Sequence, residues 1–335
     1  MQNPPSSPTP QRLPTTEEAE IRLKPVTISA GSRFKLWLMR RLLRPLTRWM
    51  IVGSDQRIAR VQLSLAGRVC RNSYGLAVDY RVIGRCPGHF VGGAHDPRRR
   101  VLLWLHGGAF VMPAVPDVHV RTVARMCRQL DAVGFLPDYR LAPFNKFPAA
   151  LDDCERAYRG LLELGYAPQR IVIGGESAGG NLLLGVLQRI RKAGLPMPAC
   201  AVPVSPGTEM GRVHAPPSRT LRMKQDPILP LDALARVGEM YAGGMDTSDP
   251  EISPLYADCT GFPPLYLLAS DNEVLLDDTV MFARSAKAYG VDVRFEVWPL
   301  LPHAFPLFEA WFPEVAQARE DMVAFMRQHL DKVEA

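Results

Sequence analysis

Three features of this chain have the residue types and spacing for acyl-group chemistry. They are a serine set between glycines, a glycine pair behind a histidine, and a late histidine preceded by carboxylates. Gly175–Glu176–Ser177–Ala178–Gly179 follows a short β-branched run, Arg170 to Gly174, and precedes an apolar run from Asn181 to Lys192. The first run reads as a buried strand and the second as a helix packed on it. A serine at such a junction, with glycine two residues to either side, is the pattern of a nucleophile elbow, a turn too tight for a Cβ at 175 or 179. The elbow raises Ser177 Oγ above the sheet edge at a helix N-terminus. There the Ala178 N–H is aimed at an oxyanion formed on an attacked carbonyl.

His106–Gly107–Gly108–Ala109–Phe110 ends the apolar run Val101 to Leu105, which suits a central parallel strand. Two glycines at a strand end present backbone N–H groups to a cleft, and without side chains they approach a substrate closely. The N–H groups of Gly107, Gly108 and Ala178 are therefore expected to form a three-donor oxyanion hole. Phe110, Val111 and Met112 are expected to line the acyl or alcohol side, packing into the core being the alternative. His106 is read as a buried histidine that supports the loop.

His303 follows the last predicted strand, Val291 to Trp298, where a base can reach over Ser177. The other histidines lack that placement: His89 and His95 read as loop residues, and His119, His214 and His329 as peripheral. The loop after the run Pro264 to Ala269 offers Asp271, Glu273, Asp277 and Asp278. The last two suit the first turn of the next helix. Asp271 and Glu273 are left as partners for His303.

These residues need a scaffold. Strand-like runs at Val101–Leu105, Ala132–Phe135, Arg170–Gly174, Ala199–Val204, Pro264–Ala269 and Val291–Trp298 alternate with helical stretches, among them Asp117–Leu130, Leu275–Tyr289 and Glu314–His329. That alternation implies an α/β fold with a mostly parallel central sheet flanked by helices. Three parts are expected: a proline-rich flexible tail over 1–32, a basic helical arm over 33–75, and a catalytic domain over 76–335. The catalytic domain carries an insertion at about 206–260, with a helix at Leu231–Tyr241.

The motifs together resemble the hormone-sensitive lipase family of α/β-hydrolases. His106–Phe110, Asp138–Pro143, Phe147–Ala150, Gly175–Gly179, Asp249–Pro250 with Ser253–Leu255, and the Glu273–Asp277 loop carry the resemblance, which covers roughly residues 75–330. The family implies a carboxylesterase for short- and medium-chain esters with a Ser–acid–His triad, a helical cap from the N-terminus, and neither cofactor nor metal. The family's acid loop aligns with Glu273, 30 residues before His303, so the implied triad is Ser177, Glu273 and His303. Ala109 replaces the family's third glycine and Glu176 its frequent aspartate. Amide or carbamate hydrolysis is the alternative chemistry, and a non-catalytic ligand receptor the alternative class.

Composition narrows the partners. Of the net charge of +6, the segment from Arg33 to Arg60 supplies eight basic residues against one acid, leaving the remainder near neutrality. This excludes a general nucleic-acid-binding surface. Arg40, Arg44 and Arg48 recur at helical spacing, opposite Leu38, Met39, Leu42, Trp49 and Met50. Two expectations follow for residues 33–60: an arm whose apolar side covers the domain, or peripheral contact with an anionic membrane. Six cysteines without paired spacing read as reduced thiols. With no leader-like or membrane-spanning run, the chain is expected in the cytoplasm, peripheral at most to a membrane. Oligomeric state is not readable.

Overall fold

A computed structural model describes residues 22–65, 68–211 and 216–331. Its nine strands are β1 (Arg22–Leu23), β2 (Val78–Ile83), β3 (Cys86–Val91), β4 (Arg100–Leu105), β5 (Ala132–Pro137), β6 (Ile171–Glu176), β7 (Cys200–Val204), β8 (Leu265–Ser270) and β9 (Val293–Trp298). They form one sheet in the order β1-β9-β8-β7-β6-β4-β5-β3-β2. Pairing is parallel from β1 through β5 along that order, and antiparallel for β5 with β3 and β3 with β2. Every residue of β5, β6, β7 and β8 is buried, as continuous apolar runs covered on both faces require.

Nine helices complete the described residues: α1 (Ala30–Ile51), α2 (Asp55–Leu65), α3 (His119–Leu130), α4 (Ala149–Glu163), α5 (Ala178–Lys192), α6 (Ser218–Leu221), α7 (Leu231–Ala242), α8 (Leu276–Ala288) and α9 (Val315–Leu330). Two cores result, one on each side of the sheet. One gathers Leu103, Leu151, Leu183 and Phe282, the other Trp104, Val123, Trp298 and Met322. All six cysteines are free, five of them buried.

Two expectations change. β3 contains Pro87, Gly88 and His89, so His89, read as a loop residue, lies in a strand. The strand sits between β2 and β5 and gains its order from pairing on both edges. Residues 22–32 are not tail: β1 pairs with β9 and Ile28 is buried, while residues 1–21 lie outside the described residues. α1 runs unbroken through Pro45. An interior proline costs a helix about 3 kcal/mol, and contacts on both sides of Pro45 hold α1 against the domain. Arg40 donates to the Gln225 carbonyl, Arg44 to the Met223 carbonyl at 2.5 Å, and Arg48 pairs with Asp232 at 2.6 Å.

α1 covers the domain with Leu36, Met39 and Ile51, all buried in the two cores, and its arginines dock on the 216–242 segment between β7 and β8. Its outward side also carries apolar side chains. Phe34, Trp37, Leu42, Leu46 and Trp49 are between 48% and 63% exposed. α2 is tied to the domain by Gln62, whose Nε2 donates to the carbonyls of Val111 (2.8 Å) and Ala142 (2.9 Å).

Candidate active site

β6 delivers Ser177 and α5 begins behind it. Ser177 has φ 57° and ψ −119°, a conformation costly for a residue with a side chain and tolerable only where the surroundings enforce it. The enforcement is steric. A Cβ on Gly179 would lie 1.9 Å from the Leu105 carbonyl oxygen, and one on Gly175 would lie 2.7 Å from that of Gly179. Glycine at both positions lets the strand–helix turn close against β4. The Ser177 N–H is held by the Val204 carbonyl at 2.9 Å. α5 ends in Arg189, Arg191 and Lys192, so cations sit at its negative end while its first N–H groups face the serine.

His303 is buried after β9, and its Nδ1 lies 2.5 Å from Glu273 Oε2. Glu273, fully buried at the end of β8, receives through Oε1 the Ser270 N–H at 2.6 Å and the Ser205 hydroxyl at 2.9 Å. Ser205, at φ 45° just past β7, also accepts the Ala304 N–H at 3.3 Å, linking the acid loop to the histidine loop. The sequence reading missed Ser205, because a lone serine at a strand end carries no periodic or motif signal. Asp271 faces another way: its Oδ1 accepts the Leu300 N–H at 2.7 Å and shapes the loop leading to His303. The structure thus brings Glu273, not Asp271, to the imidazole.

Burial alone would pull the imidazole pKa of His303 down. The hydrogen bond and charge of Glu273, with attraction from Asp226 and Glu176, outweigh that and hold it above its ordinary value. His303 Nε2 is buried and has no protein hydrogen-bond partner among the described residues, while Ser177 is half-buried. Catalytic hydrogen bonds of this type often tighten only when substrate is bound.

The glycine loop corrects one expected donor. The Gly107 N–H is spent on Glu176 Oε1, so it is not available to an oxyanion. Glu176 is buried, accepts the Trp104 indole N–H at 2.6 Å and lies 3.2 Å from His119 Nε2. His119, expected to be peripheral, is in fact packed inside this cluster. Beyond it, Gly108 (φ 121°) and Ala109 (φ 57°) turn the chain sharply. A Cβ on Gly108 would stand 2.8 Å from the Met112 carbonyl oxygen. The N–H groups of Gly108, Ala109 and Ala178 donate to no other group among the described residues.

His106 supports this loop. It stacks on Tyr139 with ring centroids 4.3 Å apart, and the Tyr139 hydroxyl donates to the His106 carbonyl at 2.6 Å. Burial, with His119 adding to it, pushes the His106 pKa down to about 4, so its imidazole stays neutral. Phe110 and Val111 pack into the main core, the alternative to lining the cleft. Phe110 stacks on Tyr241 at 3.7 Å and Val111 is fully buried. Met112 remains at the loop edge beside Gly108. No group of three or more potential metal ligands occurs among the described residues, and none of their helices is long and apolar enough to cross a membrane.

Comparison with known proteins bears on the fold and the class of activity. A family described as the alpha/beta hydrolase fold matches residues 102–307. An acetyl-hydrolase of Streptomyces hygroscopicus is 36% identical over 249 residues, 74% of this chain and 82% of that protein. Esterase LipU of Mycobacterium tuberculosis is 34% identical over 239 residues, 70% and 79% of the two chains. Among solved structures, an esterase of the bacterial hormone-sensitive lipase family superposes with a TM-score of 0.78 at 31% identity. It covers 91% of this chain and 100% of its own. Esterase EstE5, soaked with p-nitrophenyl butyrate, gives 0.80 at 32% identity, covering 90% and 99%. With an α/β sheet in this order, the elbow at the end of β6 and the matches along most of its length, the chain belongs to the hormone-sensitive lipase family of α/β-hydrolases and is an ester hydrolase.

Proposed function

We propose that Ser177, His303 and Glu273 carry the hydrolysis, on short- to medium-chain carboxylic esters, through an acyl-enzyme. The observation that carries the reading is the buried pair of Glu273 and His303 Nδ1, with Nε2 left unpartnered. His303 Nε2 takes the hydroxyl proton as Ser177 Oγ bonds to the ester carbonyl carbon. Glu273 orients the imidazole and stabilises its cation. The oxyanion is received by the N–H groups of Gly108, Ala109 and Ala178, the donors with no other partner. His303 then gives its proton to the departing alkoxide, and water repeats the cycle on the acyl-Ser177 bond. The Ala109 methyl narrows the alcohol side, disfavouring bulky tertiary alcohols. A readily cleaved ester is the probe: p-nitrophenyl butyrate should be turned over by the wild type and not by Ser177→Ala. Equal turnover by both would refute the assignment, and no turnover by the wild type would favour a ligand receptor.

A second reading concerns residues 33–60, which we propose touch an anionic membrane peripherally. Its observation is the outward face of α1, where Phe34 stacks on Trp37, Arg41 lies over Trp37 and Arg57 over Trp49. Trp49, Arg57 and Arg60 also line a groove of about 520 Å³ between α1 and α2. Aromatic rings ringed by arginine suit a headgroup boundary. A second copy of the chain would bring these like charges together. Trp37→Ala with Trp49→Ala should cut binding to anionic vesicles, and salt should weaken binding of the wild type. Binding to neutral vesicles alone, or none, would overturn this reading.

A further inference from the structure

Within the connection between β7 and β8, Asp226 is fully buried, yet it lies in an irregular stretch far in sequence from the catalytic motifs. Its Oδ1 accepts the N–H groups of Ile228 (2.8 Å) and Leu229 (2.9 Å), which fixes the carboxylate on its own loop. Its Oδ2 reaches across to the Val274 N–H at 2.9 Å, the residue directly after Glu273. The residue before it, Gln225, offers its carbonyl to Arg40 of α1. The Asp226 side chain thereby joins the connection to the acid loop, one residue from the carbonyl that holds the arm.

A buried carboxylate is costly unless hydrogen bonds and an opposite charge compensate it. Three N–H groups supply the first and His303 the second, although burial outweighs them and holds the Asp226 carboxyl above its ordinary value. The imidazole and Asp226 attract one another inside the protein, and His303 is the charged partner that lowers the cost of ionising Asp226. The acidic groups acting on His303 come from three elements: Glu273 after β8, Asp226 from the β7–β8 connection and Glu176 at the end of β6. Glu176 is occupied by Gly107 and Trp104. Asp226 has no duty inside the main domain except toward the acid loop.

We propose that Asp226 is a positioning residue for the triad, a second carboxylate delivered by the β7–β8 connection that holds the acid loop at Val274 and stabilises the imidazolium of His303. The imidazolium forms as the tetrahedral intermediate forms, so this charge acts on the transition state more than on substrate binding. The proposal builds on His303 as the base.

The test is steady-state kinetics of the full chain on p-nitrophenyl butyrate across the histidine range of about pH 5–8. Asp226→Asn removes the charge but keeps an acceptor for the Ile228 and Leu229 N–H groups. Without the attracting charge the imidazole loses its proton more readily, so the acid limb of kcat/KM should move down by about one pH unit. In the same variant kcat should fall with KM little changed. Asp226→Ser, also uncharged but still an acceptor for its own loop, must move the limb the same way. Ser218→Ala is the structural control. Ser218 Oγ donates to the Val274 carbonyl and accepts the Asp277 N–H, so its loss loosens the same acid loop with no change of charge. It should lower kcat and leave the limb where it was. An unmoved limb in the folded Asp226 variants, or an equal shift in Ser218→Ala, overturns the proposal. A wild-type profile with no acid limb overturns the assignment of His303 instead, and this proposal with it.

Discussion

Replacing Glu176 with glutamine should disable the oxyanion loop while leaving the Glu273–His303 hydrogen bond in place. The carboxylate serves two donors, the Gly107 N–H at Oε1 and the Trp104 indole N–H at Oε2. Glutamine has one acceptor oxygen and one NH2 group. Whichever way its amide turns, an NH2 group faces a buried N–H. A buried donor left unpaired costs about 1–3 kcal/mol, which the site escapes by moving the loop or rotating the side chain. Gly107 is the residue immediately before Gly108 and Ala109, so movement of the loop shifts two of the three donors proposed for the oxyanion. Loss of a single such donor lowers kcat by about 10²–10³-fold, and Glu176→Gln should fall in that range. Glu176→Asp keeps the charge on a shorter arm and should retain more. The assay is kcat on p-nitrophenyl butyrate with thermal unfolding measured in parallel, and KM should change less than kcat. A Glu176→Gln enzyme with unchanged kcat and unchanged unfolding would refute the reasoning that this carboxylate sets the loop.

Glu273→Gln should lose turnover by about 10⁴-fold, the scale seen when an orienting carboxylate is neutralised in a serine protease. Asp271→Asn should lose far less, since Asp271 holds the Leu300 N–H rather than the imidazole; the reverse order of losses would reassign the acid. The pH dependence follows from His303, whose pKa is raised by its carboxylate neighbours. The base must be neutral, so the acid limb of kcat/KM should lie above the ordinary histidine value of about 6.5. A limb below it would contradict the electrostatics described.

Much of this site was legible because its parts carry local signals. The elbow needs glycine at 175 and 179 for a clash measurable against Leu105 and Gly179, and that need is written in five consecutive residues. β4, β6 and β8 were visible as apolar runs, since strands buried on both faces have no alternation to interpret. What escaped is non-local. The use of the Gly107 N–H depends on the side chain of Glu176, contributed by the neighbouring strand β6. Ser205 matters only because two loops converge on its hydroxyl. β3, with Pro87 and Gly88, takes its order from partners on either side. Helical periodicity placed the arginines of α1 on one face but could not say that they too meet protein, alongside the buried Leu36 and Met39. Backbone carbonyls at 223 and 225 decide that, and they leave no trace in sequence.

The central claim is that Ser177 becomes covalently acylated. Reaction with a p-nitrophenyl phosphonate, which transfers its phosphorus to an activated serine and stops there, tests this most directly. Peptide mass spectrometry should find one adduct per chain, on Ser177, growing in step with loss of esterase activity and absent from Ser177→Ala. An adduct on another residue that tracks the loss of activity, or full activity in a chain labelled at Ser177, would contradict the account.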